Sequence, residues 1–245
     1  MPDAFENERA FIERRRPFMT ARWTNPILLT YRVPPDLVRR YIHPDLSLDR
    51  WQGHCHVSVV ALEFHDTRLR GRRVPGFVNF SQLNLRTYVR QGDQRGVTFI
   101  REFVPSKVVA IIARLRFNEP YRTLDITSQT RSDGDALHIR HRWRRHGVDQ
   151  YIKVTASQAS VIPPEDGGVY HFTERRWGYG STRSGDLVRF RVEHPVWAIR
   201  EIRSVAHNID FASLFGAEWR VLNDHEPVRV TLAVGSAVKL YPPGR

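Results

Sequence analysis

The segment Leu83-Asn84-Leu85-Arg86-Thr87-Tyr88-Val89 alternates strictly between side-chain classes, and no other feature restricts the fold of this chain as much. A period of two sends Leu83, Leu85, Thr87 and Val89 to one face of a strand and Asn84, Arg86, Tyr88 and Arg90 to the other. One face is core; the other is a row of hydrogen-bonding groups. Gln91-Gly92-Asp93-Gln94-Arg95-Gly96 then supplies glycine at two places where the chain must reverse, so residues 97–103 are expected to pair back antiparallel. Pro105-Ser106 breaks that strand and opens a helix, because Val108, Val109, Ile111, Ile112 and Leu115 follow at helical spacing up to Pro120. Lys107 falls in the first turn of this predicted helix.

The rest of the chain follows the same grammar. Residues 54–64 alternate, with His54, His56, Ser58, Val60, Leu62 and Phe64 opposite Cys55, Val57, Val59, Ala61 and Glu63. Ser132-Asp133-Gly134-Asp135 is a reverse-turn signal between strands at 124–131 and 136–145. Further strand-like segments lie at 27–33, 151–161, 169–177, 187–193, 196–202, 228–234 and 238–241, separated by Gly and Pro. Short helices are expected after Pro34-Pro35-Asp36 and after Asp210, a plausible N-cap for residues 211–219. About ten strands with three or four short helices describe a mostly β (α+β) chain, a single large antiparallel sheet closed as a barrel or cone. Such a sheet can enclose a pocket. Residues 1–16 read as a charged arm or short helix ahead of one domain spanning 17–245.

Composition removes several function classes. The single Cys55 excludes an internal disulfide framework and a cysteine-rich zinc site. His54-x-His56 lacks a third ligand nearby in sequence, so neither a metal nor a cofactor is expected. No apolar run has the length of a signal peptide or a membrane span, and the expectation is a soluble cytoplasmic protein. A formal charge of +12 favours anionic partners. The densest basic stripe, Arg140, Arg142 and Arg144 with Trp143 interleaved, reads as the solvated face of an antiparallel sheet, because no nucleic-acid-binding motif accompanies it. Strand edges and aromatics such as Trp197 offer surfaces for a homo-oligomer.

Only three of the 38 basic residues are lysines, Lys107, Lys153 and Lys239, which narrows any search for an amine nucleophile. An ammonium at the positive end of a helix dipole, among Val104, Val108 and Val109 and near Arg101, has its charged form disfavoured. A lysine so placed can attack a carbonyl near pH 7; the plainer alternative is an exposed lysine at a helix start.

The segments Leu83-Asn84-Leu85-Arg86-Thr87-Tyr88-Val89, Asn118-Glu119-Pro120-Tyr121, Glu174-Arg175-Arg176-Trp177-Gly178-Tyr179 and Val192-Glu193-His194-Pro195-x-Trp197 resemble those of the YqjF-like family, a bacterial family of unknown function. The resemblance runs from about Pro17 to Leu240. That family resembles acetoacetate decarboxylase in fold, which implies a double-psi-like or cone-shaped β-barrel with a central cavity. The decarboxylase group works through a Schiff-base lysine in a run similar to Arg101-Glu102-Phe103-Val104-Pro105-Ser106-Lys107-Val108. Here the spacing from Pro to Lys is one residue longer, and Val108 stands where the decarboxylase has a second lysine that lowers the pKa of the first. The resemblance therefore implies a lyase acting on a small keto acid. Lys107 would form the imine, Arg86 or Arg101 would hold a carboxylate, Glu102 or Glu119 would move protons, and Asn84 and Tyr88 would orient. Glu63 is a third candidate for the catalytic glutamate. The alternative is a non-catalytic barrel that binds a small ligand, with the same polar row serving structure.

Overall fold

A computed structural model describes residues 16–105, 121–182 and 184–242. Residues 1–15 of the expected arm, and all of the expected helix beyond Pro105 with Lys107 and Glu119, lie outside the described residues. The strands are β1 (Met19–Val33), β2 (Ser47–Leu48), β3 (Cys55–Leu69), β4 (Phe80–Gln91), β5 (Gln94–Val104), β6 (Tyr121–Thr123), β7 (Ile126–Asp133), β8 (Ala136–Arg145), β9 (Val148–Val161), β10 (Trp177–Ser181), β11 (Leu187–Glu193), β12 (Ile199–Asn208), β13 (Arg229–Ala233) and β14 (Gly235–Tyr241). Among the described residues three short helices join them, α1 (Pro35–Arg39), α2 (Gly168–Thr173) and α3 (Phe211–Phe215), with a 3-10 helix at Ala217–Asp224.

Seven strands close on themselves in the order β1-β3-β4-β5-β10-β11-β14, and β14 returns to β1 through pairs from Met19↔Leu240 to Thr24↔Gly235. An odd ring cannot be antiparallel throughout. The one parallel step of this ring is β5–β10, with Trp177 opposite Gly96 and Tyr179 opposite Thr98. The barrel is therefore mixed. Five of the other strands continue as a second sheet, β13-β12-β9-β8-β7, hung on the other half of β1, while β2 pairs with β4 and β6 with β5.

β1 serves both sheets because it bends. Its register against β3 shifts between Thr24 and Ile27, where Asn25 has φ 48° and Pro26 lacks a donor for the ladder. Residues before the shift pair with β14, and Ile27 to Thr30 pair with β13. The strand expected at 27–33 thus starts eight residues earlier than the Asn-Pro signal suggests.

Alternation then sorts the side chains into two cores. Outward residues of the barrel, including Ile27, Leu29, Val57, Val59, Leu83 and Leu85, pack against Ile139, Trp143, Ile152 and Val154 of the second sheet and against Phe211, Leu214 and Phe215 of α3. Inward residues, among them Val60, Leu62, Phe64, Tyr88 and Phe190, form the other core inside the barrel. Both faces of β3 and β4 match the alternation of their sequences.

Some local expectations are corrected. Residues 169–177 are not a strand: α2 occupies the first part, with Thr173 Oγ1 donating to Val169 O at 3.0 Å. Its Val, Tyr, Phe and Thr content favours a strand locally, but the turn buries His171 and Phe172 against Tyr88, with the Phe172 ring 5.0 Å from it. Gly96 lies inside β5 rather than in the turn, which is the two-residue Gly92-Asp93 between paired Gln91 and Gln94. Asp210 does cap α3 by accepting from Ser213 N at 3.1 Å, but the helix stops at Gly216, whose φ is 128°. Trp143, opposite the basic stripe, is core as that alternation expects, 1% exposed with Nε1 donating to Gln150 Oε1 at 3.2 Å. Arg142 and Arg144 are solvated and face Asp149. Trp197 is buried, so it is no exposed aromatic for an interface. Among the described residues no helix is long and apolar enough to cross a membrane.

Candidate functional site

The barrel encloses a cavity of about 90 Å³ of free volume, several times the ~10–15 Å³ that admits one water. Strand period decides most of what lines it. From β3 come Val60, Leu62 and Phe64, from β11 Phe190 and Val192, and from β1 Met19 and Trp23. β4 contributes Gln82, Asn84 and Arg86 as three successive inward positions. Tyr88, one step further along the same face, lies beyond the cavity: its hydroxyl meets Ser58 Oγ at 2.5 Å, and Ser58 meets Thr30 Oγ1 at 2.7 Å. The Arg175 guanidinium, ion-paired with Asp49, covers the Tyr88 ring at 5.1 Å. Asn84, Arg86 and Tyr88 do share the inward face of β4, with Tyr88 beyond the cavity, while Arg90, the last member of the expected row, is exposed.

On β5 a bulge makes the selection. Leu85 pairs with Arg101 but Arg86 pairs with Phe99, so Ile100 is the extra residue. Val97 and Phe99 face inward before the bulge, and Glu102 and Val104 face inward after it. Arg101 is turned to the outer face, where its Nη1 donates to Leu214 O at 3.4 Å. The structure thus joins Glu102 to Asn84 and Arg86 in one cavity and keeps Arg101 and Tyr88 out of it. Glu63 points outward as well, 3.6 Å from His65 Nε2.

Glu102 is 2% exposed and is the cavity's carboxyl group among the described residues. Gln82 Nε2 donates to its Oε2 at 2.6 Å and reaches Tyr121 Oη at 3.3 Å. Tyr121 opens β6, which pairs parallel with β5 so that Tyr121 stands opposite Glu102. Burial lifts the Glu102 carboxyl to about 8, although hydrogen bonds from Tyr121 and Gln82 and the nearby charge of Arg86 pull it the other way. At neutral pH it is mostly a protonated acid. Arg86 donates from Nη2 to the Phe172 carbonyl at 2.9 Å, while its Nε is buried without a hydrogen-bond partner, as is Asn84 Oδ1. An acid that can give a proton, a guanidinium with an unused donor and an amide oxygen with no donor therefore meet in one lumen.

A second polar set backs the opposite wall. Trp197 lines the cavity, donates from Nε1 to Ser236 Oγ at 2.9 Å, and is stacked on His194 with ring centroids 4.3 Å apart. The Pro195 carbonyl, 2.8 Å from His194 Nδ1, can only accept, so that nitrogen carries the proton. Burial, the first cause, then lowers the basicity of His194 and raises the Glu174 carboxyl behind it.

Sequence reasoning missed Gln82, Tyr121 and this aromatic wall. Gln82 was legible, since it is the inward neighbour of Asn84 in the same alternation. Tyr121 was not, because a strand of three residues gives no period to read.

The model of the DUF2071 family, described as an uncharacterized conserved protein, matches residues 20–237. The uncharacterized protein YqjF of Bacillus subtilis is 25% identical over 204 residues, 82% of each chain. In three dimensions the chain is similar to an acetoacetate decarboxylase-like enzyme from Sphingomonas wittichii RW1, with a TM-score of 0.63 and 14% identity over 94% of each chain. It is also similar to the enduracididine biosynthesis enzyme MppR complexed with pyruvate, with a TM-score of 0.62 and 14% identity over 95% of this chain and 91% of that one. At such identities the likeness shows the fold, an acetoacetate decarboxylase-like barrel.

Proposed function

This chain belongs to the DUF2071 family, and on the chemistry of its own cavity we propose that it is a Schiff-base lyase acting on a small keto acid, by decarboxylation or by an aldol and dehydration step. The observation that carries the reading is Glu102: a buried carboxyl held near pH 8, beside a guanidinium, in an otherwise apolar lumen. The chain runs from Glu102 to Lys107 in five residues and returns at Tyr121, paired with Glu102. In the reaction the neutral amine of Lys107 adds to the keto carbon and water leaves, giving an imine. From a 3-oxo acid, loss of CO2 sends the C–C bonding pair into the protonated imine as an enamine, and the Glu102 acid returns a proton to carbon. From a 2-oxo acid the enamine forms by loss of a C3 proton and attacks an aldehyde before dehydration, and in both cases water hydrolyses the imine to free Lys107. Arg86 holds the carboxylate, Asn84 orients the substrate, and Glu119 is the second candidate for proton transfer. The fold is shared with an enzyme solved with pyruvate, which supports a keto acid as the ligand class.

Trapping tests the proposal directly. Incubation with pyruvate or acetoacetate followed by borohydride is expected to leave a mass adduct on the peptide containing Lys107, absent from Lys107→Ala. No adduct, or equal labelling of Lys153 and Lys239, overturns the imine and leaves a ligand-binding barrel, the reading that the largely apolar wall favours.

A further inference from the structure

Among the described residues, the polar side chains that line the cavity, the Trp23 indole apart, are gathered on one side. Gln82, Asn84 and Arg86 come from β4, Glu102 from β5 and Tyr121 from β6, three strands that are neighbours in the sheet. The other contributing barrel strands, β1, β3, β11 and β14, present aliphatic and aromatic side chains, with the buried, unpaired Trp23 Nε1 their polar atom. The described lumen is therefore divided lengthwise, with an acid-binding wall facing an aromatic one.

Each wall makes its own demand on a ligand. Arg86 Nε is a buried, unpaired donor on a cation that faces a carboxyl mostly neutral at pH 7, so this wall calls for an anionic head, while the unpaired Asn84 Oδ1 beside it can only accept and calls for a donor. The facing wall, with Phe64, Phe190, Trp23 and Trp197, gains nothing from a compact polar molecule, because a void next to aromatic rings forfeits their dispersion contacts. A pyruvate bound at Arg86 offers that wall one methyl group.

We propose that the cavity takes an amphipathic 2-oxo acid, its carboxylate on Arg86 and its tail an alkyl or aryl group laid against the aromatic wall. The inference rests on the reading of this cavity as a keto-acid site and adds the class of tail. Calorimetric titration of the wild-type protein with pyruvate, 4-methyl-2-oxopentanoate, phenylpyruvate and phenylacetone tests it. Each methylene buried is worth about fourfold in affinity, so one of the two larger acids is expected to bind at least tenfold more tightly than pyruvate. Phenylacetone, which has the ring but no carboxylate, is expected to bind at least tenfold more weakly than phenylpyruvate, a difference that Arg86→Gln removes. Equal affinity for the three acids, or for phenylpyruvate and phenylacetone, overturns the class, and this wild-type series decides it even where the variant does not fold. Borohydride reduction of the same mixtures keeps the two readings apart. A tail preference with no Lys107 adduct removes the imine and leaves the ligand class standing; an adduct with no tail preference does the reverse.

Discussion

A carboxyl group in an apolar barrel owes its protonation state to very few contacts, and for Glu102 those contacts are known. Burial raises it, while Tyr121, Gln82 and Arg86 each favour the anion. Tyr121→Phe removes one hydrogen-bond donor and leaves the ring in place. A net hydrogen bond to a charged group is worth about 1.5–3 kcal/mol and one pH unit is about 1.4 kcal/mol, so the Glu102 titration is expected to move upward by roughly one unit or more. Carbon-13 shifts of labelled glutamate side chains across pH 6–10 would read it; a titration that stays in place, or falls, would show that Tyr121 does not donate to this carboxyl. The residue itself was legible in the sequence, as the acid within a run that resembles a Schiff-base motif. Its partnership was not. Gln82 is twenty positions away and Tyr121 nineteen, and only strand pairing brings them together.

At the scale of elements, the sequence was most readable where strands are regular and least where they are interrupted. β3 and β4 alternate without a break, and their inward and outward faces follow from the letters alone. β5 does not: strict alternation groups Arg101 with Val97 and Phe99, and the extra Ile100 exchanges Arg101 for Glu102 on the lumen face. A bulge leaves no composition signal when its residues are all good strand formers. Two glycines show how tightly the surrounding elements are fitted. A Cβ on Gly96 would lie 2.4 Å from the Trp177 carbonyl oxygen, which is backbone and cannot give way within the parallel β5–β10 pair. Gly96→Ala is expected to cost ~1–3 kcal/mol of stability, as overpacking in a core does. At Gly178 the same Cβ would sit 2.1 Å from Phe190 Cζ, a side chain that can move, and the direction open to it is the cavity it lines. Gly178→Ala is therefore expected to weaken ligand binding more than it lowers the denaturation midpoint. Parallel urea melts and titrations of the two variants separate these outcomes; a Gly96→Ala protein as stable as wild type would mean that β10 is not held against β5 at this distance.

For the whole molecule, closure of the barrel depends on β14 finding β1 across more than two hundred residues, so a reading by local period could reach the class of fold but not the order of its strands. The same closed architecture buries ionisable groups of opposite habit, and their sum sets the dependence of stability on pH. His56 and His141 are lowered from 6.5 to about 4, and His171 to about 3, in each case first through burial. Between pH 6.5 and 4 the unfolded chain binds protons at these three positions that the folded chain refuses, so stability falls as pH falls through that range. Glu102 acts in the other direction. Its carboxyl titrates at 4.5 when unfolded and at about 8 when folded, so between those values the folded chain holds the extra proton and stability falls as pH rises. Below pH 6.5 these histidines, with His194 lowered in the same direction, outweigh the raised carboxyls; above it Glu102, the carboxyl raised furthest, dominates. A maximum in Tm is expected near pH 6.5, with a steep acid limb and a shallower alkaline limb ending near pH 8. Glu102→Gln separates the two causes, because it removes the titrating group and keeps the shape of the side chain. In that variant the alkaline limb should flatten while the acid limb stays, and at pH 8.5 the variant should be the more stable protein, by an amount on the order of a few kcal/mol. Calorimetric scans from pH 4.5 to 9 on both proteins would show it, and an alkaline limb that persists in Glu102→Gln would mean that the buried carboxyl is not what the fold loses stability to as the pH rises.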